Sequence, residues 1–150
     1  MHTIVRRYIR TSVAFLIAGL IVGIWMEVAR DVLGRYPDTD HITAHTHLIL
    51  IGFVMGMILG VAQWMFPRPE PGSRYSPNLA MAIYYLFTVS TSLRGLAEVL
   101  KPLLNVPWLG YLAMTGGAGQ TVAFVLFFYN MWPRVRPLGS QFREARGEKF

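Results

Sequence analysis

Four long runs without one charged side chain constrain this sequence more than anything else in it: residues 11–26, 41–67, 76–93 and 102–133. A hydrocarbon core about 30 Å thick is crossed by roughly 20 apolar residues in helical form. Inside it every backbone polar group must be satisfied within the segment, which selects helix. The runs therefore predict four transmembrane helices, over about 10–30, 42–66, 77–100 and 107–132. Pro37, Pro67, Pro69, Pro71, Pro77, Pro102, Pro107 and Pro133 fall between or at the edges of these spans, where a missing N–H costs least. The expected fold is all-α, an integral membrane four-helix bundle. It forms one domain over residues 1–133, followed by a basic tail over 134–150. With 53% hydrophobic residues, 15% charged and no cysteine, the composition excludes a disordered chain, a disulfide-stapled domain and any thiolate metal site.

The net charge of +6 would ordinarily raise nucleic acid as a partner. Its distribution argues otherwise. Arg6, Arg7, Arg10, Arg68, Arg74, Arg134, Arg136, Arg143, Arg146 and Lys149 all fall on one side of the predicted spans. The other side has Arg30, Arg35 and Lys101, offset by Asp31, Asp38 and Asp40. The positive-inside rule then makes both termini cytoplasmic in a bacterial-type inner membrane, with the lipid bilayer as partner and no nucleic acid. The first span has a basic start, but no small-x-small site follows Trp25, Met26 and Glu27, so it reads as an uncleaved anchor. Trp25, Trp64, Trp108 and Trp132 lie near the predicted boundaries, as interfacial anchors do.

Ionisable groups within spans are expensive and mark function by default. Here they share one depth. Glu27 lies near the outer end of the first span, His41, His45 and His47 open the second, and Arg94 and Glu98 occupy the outer third of the third. Any site is expected near the external face. At about 100° per residue, His41 and His45 point within about 40° of each other, whereas His47 points about 200° away from His45. One regular helix cannot aim His45 and His47 at a single ion. On the His45 face, Gly52, Gly56 and Gly60 follow inward. That file is either a seam for close helix packing or a bare wall for a flat macrocycle with a histidine at its top.

Arg94 and Glu98 have i,i+4 spacing and either pair with each other or separate. In the second case Arg94 neutralises an anion such as a heme propionate and leaves Glu98 to Lys101 or solvent. Glu27 has Arg30 or Arg94 as partner, or relays protons. A metal set drawn from His41, His45, His47 and Glu27, with Asp38 or Asp40, has loose spacing and matches no specific site. The methionines Met55, Met57, Met65, Met81, Met114 and Met131 read mainly as apolar filling. No nucleophile–base pair, phosphate loop or paired-carboxylate motif stands out, so hydrolysis and group transfer have no support.

Thr43-Ala44-His45, followed by a glycine-spaced helix and Gly60-Val61-Ala62-Gln63-Trp64-Met65-Phe66-Pro67, resembles the second helix of subunit I of heme-copper oxidases. Ala44-His45-Thr46-His47-Leu48 with Gly52-Phe53 and Pro67-Arg68 is closer to short subunit I-like membrane proteins. Phe127-Phe128-Tyr129-Asn130-Met131-Trp132 resembles a helix end in oxidases and nitric oxide reductases. The resemblance implies heme b bound through His45, with His47 as the rival ligand and Arg94 on a propionate. No histidine follows His47, so the copper ligands, the high-spin heme ligand and the second low-spin ligand of that family have no counterparts. It therefore implies no binuclear centre and no oxygen or nitric oxide reductase. A second axial ligand would be His41 or His47 of a neighbouring protomer or a methionine, or the position stays open to a gas. A homo-oligomer suits so small a chain.

The leading expectation is a heme b protein of electron transfer or diatomic-gas (NO/O2) sensing, with a respiratory or denitrification electron-transfer partner. The alternatives are a heme-free metal-binding protein and an accessory or assembly subunit of such a complex.

Overall fold

The computed structural model describes residues 3–135, together with 139, 142 and 145–147. Helix α1 (Thr3–Asp31) is followed by α2 (Thr39–Thr46), a π-helical stretch (His47–Met55) and α3 (Gly56–Met65), which run on as one span. Helices α4 (Pro77–Leu104) and α5 (Trp108–Met131) follow, and a 3-10 turn, Trp132–Arg134, closes the described fold. Four helices are long and apolar enough to cross a membrane: Thr3–Asp31, Thr39–Met65, Pro77–Leu104 and Trp108–Arg134. The protein is an all-α, multi-pass membrane protein.

The helix ends follow local chemistry. Asp38 caps α2 by accepting from the Asp40 N–H at 2.9 Å. Ser76 caps α4 by accepting from the Leu79 N–H at 3.2 Å, with Pro77 at the first helical position, where its missing donor is harmless. Asn105, at φ 51°, ends α4 in the left-handed conformation that asparagine tolerates. Two boundaries differ from expectation. Helix α1 begins at Thr3 and so carries Arg6, Arg7 and Arg10 on its first turns. Helix α4 continues past Pro102, which forgoes a bond to the Glu98 carbonyl in the last turn before the Asn105 cap.

Helix α1 packs along the whole second span, α4 packs most extensively against α5, and α2 with the π-helical stretch joins the two pairs across α4. Both described ends of the chain lie at one end of the bundle, the near end. The half beside it holds the apolar core, in which Tyr8, Leu59, Ile83, Phe87, Phe127 and Met131 meet. The outward faces are apolar: Ile21, Ile24, Val89, Leu96, Val125 and Phe128 are all exposed, as lipid contact requires. The four tryptophans are exposed as well.

One expected tail residue belongs to the fold. Arg134 is only 5% exposed, and its guanidinium donates to the Pro67, Gln63 and Phe66 carbonyls at 2.9 Å each. It satisfies carbonyls that the end of α3 leaves without intrahelical partners. Of the other expected tail residues, Arg136, Arg143 and Lys149 lie outside the described residues.

Candidate functional site

The far half of the bundle gathers His41, His45, His47, Arg94 and Glu98, and the second span divides its histidines between its neighbours. His45 turns to α1. Its Nδ1–H donates to the Gly19 carbonyl at 2.8 Å, and a carbonyl can only accept, so this bond fixes the tautomer. Gly23, one turn along, leaves the room: a Cβ there would lie 3.0 Å from His45 Cε1. The Nε2 atom carries the lone pair and meets no protein partner among the described residues. The ring is half-buried.

His47 turns the other way. Its Nδ1–H lies 2.9 Å from both carboxylate oxygens of Glu98 on α4. Glu98 also accepts from Arg94 Nε at 3.0 Å, and Arg94 Nη1 donates to Gln120 Oε1 at 3.0 Å. The Gln120 Nε2 donates in turn to Thr91 Oγ1 at 3.1 Å. The Glu98 side chain is 6% exposed and that of Arg94 26%. At that burial each charge depends on its partner, and the chain of bonds ties the second span, α4 and α5 together. Two glycines of α5 make room for it. A Cβ at Gly116 would come within 2.8 Å of Arg94 Cβ, and one at Gly117 within 3.1 Å of Arg94 Nη1.

Lys101 takes Asp40 at 3.0 Å rather than Glu98. His41 is buried beneath that pair's helix ends, with 7% exposure. Glu27 is exposed on α1, and Arg30 binds Asp31 at 2.7 Å in its place. Among the described residues no three histidine, aspartate or glutamate side chains converge to hold a metal ion. The side chains of His41, His45, His47 and Glu27 do not form such a cluster. The two central histidines face different helices, and the carboxylate points away from the bundle's interior.

The glycine file corrects a second expectation. A Cβ at Gly52 would lie 2.7 Å from Phe15 Cβ, one at Gly60 2.8 Å from Tyr8 Cβ, and one at Gly56 would strike Ser12 Oγ. Helix α1 thus fills the wall along its length. Gly52, Gly56 and Gly60 form a helix-packing seam, as their spacing also allowed, and no macrocycle lies within it. Arg94 is likewise committed to Glu98 and Gln120 and is not free for a propionate. Of the heme expectation, the unpartnered Nε2 of His45 is what the geometry retains. An imidazole that ligates through one nitrogen and donates its other N–H to a carbonyl is held in the ligating tautomer.

A family model of proteins of unknown function, DUF2871, matches residues 5–132. The chain belongs to the DUF2871 family. The matched region takes in nearly all of the four spans and every polar group of this site, so the His47–Glu98–Arg94–Gln120–Thr91 network lies wholly within the matched region. No solved structure matches the chain. In this DUF2871 protein the residues that sequence reasoning missed are Gly19, Gly23, Thr91, Gly116, Gly117 and Gln120. Gly19 and Gly23 had a visible signal in their i,i+4 spacing on the first span. Gln120 had a weaker one, as an amide in an otherwise apolar helix.

Proposed function

We propose that this DUF2871 protein binds heme b through His45 Nε2, near the external face of a bacterial-type inner membrane, and serves electron transfer or diatomic-gas sensing. The observation that carries the reading is the 2.8 Å bond from His45 Nδ1–H to the Gly19 carbonyl, which leaves Nε2 as a fixed lone pair at the half-open edge of the α1–α2 seam. Gly19 holds the tautomer and Gly23 gives the ring its seat. The Glu98–Arg94–Gln120 chain holds His47 away from the same position. Heme, when bound, supplies a one-electron couple and an iron that takes a gas or a second protein ligand. Since α1 fills the glycine wall, one chain covers little of a porphyrin, and this favours a homo-oligomer in which a second copy closes the site.

A second reading rests on the filled seam and the committed Arg94: a heme-free accessory subunit of a respiratory or denitrification complex, whose histidines only hydrogen-bond. The absorption spectrum of the detergent-purified protein from heme-supplied cells, oxidised and then reduced, separates the two. Heme gives a Soret band and reduced α and β bands, lost in His45→Ala and retained in His47→Ala. A colourless preparation overturns the heme reading, and metal analysis of the same sample then divides the accessory subunit from a heme-free metal-binding protein.

A further inference from the structure

The near end of the bundle contains a cavity of about 490 Å³ that neither reading uses. Thr3 of α1, Gln63 of α3, Arg68 and Tyr75 of the connector, Pro77 at the start of α4, and Arg134 are among its lining residues. Three observations agree on what it lacks. First, Arg134 is a buried cation without a carboxylate partner among the described residues. Its N–H groups are spent on the carbonyls of Gln63, Phe66 and Pro67, on Gln63 Oε1 at 3.0 Å and on Met131 Sδ, and its face lies 4.9 Å from the Tyr75 ring centroid. What it offers the cavity is charge rather than hydrogen bonds.

Second, Gln63 is 3% exposed and its Nε2 has no hydrogen-bond partner. The amide cannot simply turn over, because its Oε1 accepts from Arg134 Nη1 and from the Tyr75 hydroxyl at 3.2 Å. A buried donor left in this state costs free energy until an acceptor reaches it. Third, the rim is positive. Arg68 lines the cavity, Arg7 lies beside it through a 3.1 Å contact to Met81, another lining residue, and the first turn of the 28-residue α4 adds the positive end of its dipole. The connector carries one carboxylate, Glu70, against these groups.

A buried cation without a carboxylate, one unsatisfied amide donor and a positive rim call for an anion with several oxygens. We propose that this cavity binds a phosphate group, either the headgroup of an anionic phospholipid or free phosphate. The arginine distribution puts this end in the inner leaflet, where basic pockets between transmembrane helices take anionic headgroups.

The test is thermal unfolding of the full chain in neutral detergent, titrated separately with phosphatidylglycerol, phosphatidylcholine and inorganic phosphate. Phosphatidylglycerol should raise Tm with saturation, and phosphatidylcholine should not. Saturable protection by inorganic phosphate alone identifies the free anion as the source, whereas protection by the lipid alone identifies the headgroup. Gln63→Glu places a carboxylate beside Arg134 as an internal counter-ion, so it should fold with an undiminished Tm and lose the response. Arg68→Gln should weaken the response about fivefold, the loss of one basic contact. No protection by either phosphate source, equal protection by phosphatidylcholine, or an unaltered response in Q63E overturns the proposal.

Discussion

At the residue scale, Glu98 has the largest predicted effect. It is the one carboxylate that His47 and Arg94 share, and nothing else described in the far half could replace it. Glu98→Ala leaves the half-buried Arg94 guanidinium uncompensated and should lower stability by about 3 kcal/mol. Replacing Arg94 and Glu98 together by leucine should recover part of that loss, because the desolvation of both charges disappears with them. Thermal unfolding in detergent reads both variants. The sequence marks these groups well, since an ionisable side chain within an apolar span is conspicuous. It does not reveal their partners. Periodicity gives a side chain's direction on its own helix but not which helix lies there, and His47 and Glu98 meet across a sequence separation of 51. The neutral members of the chain, Thr91 and Gln120, carry no charge to draw the eye.

At the scale of elements, the seam between α1 and the second span is where glycine spacing is decisive. Gly52→Ala would press a methyl group against Phe15 Cβ and Cγ, atoms fixed close to the backbone of α1 that cannot swing aside. It should cost about 1–3 kcal/mol by overpacking. Gly110→Ala has nothing within 4 Å and is the matched control, expected to be neutral or slightly stabilising. Unfolding of the two variants side by side checks the seam directly. The i,i+4 glycines were readable as a packing surface, and α1 packs against them along their length. The π-helical stretch was not readable. It arises where hydrogen bonds slip by one residue, so that the Gly56 N–H reaches the Ile51 carbonyl, and hydropathy does not register that slip. Upstream of it, the Thr43 and Thr46 hydroxyls bond back to the Thr39 and Ile42 carbonyls at 2.8 and 2.9 Å, a pattern that bends helices.

At the scale of the whole molecule, the four spans were legible because uncharged length is a one-dimensional property. The arrangement of the helices was not, because every span is apolar on most sides and lipid rewards any outward face equally. The orientation has a direct test, aided by the absence of native cysteine. A single Tyr36→Cys should react with an impermeant maleimide in intact cells, and Ser73→Cys only after permeabilisation. The reverse pattern would invert the topology. The end of the domain has its own test. A chain stopped after Val135 should match the full protein in unfolding temperature, whereas one stopped after Pro133 should unfold at a clearly lower temperature, because the Gln63, Phe66 and Pro67 carbonyls lose their donor. The same clasp bears on how the protein is made. Arg134 leaves the ribosome after all four hydrophobic segments, so translation delivers every membrane-crossing helix before the residue that fastens the second to the fourth. A nascent chain interrupted just short of it is complete in what the insertion machinery reads and unfinished in its fold.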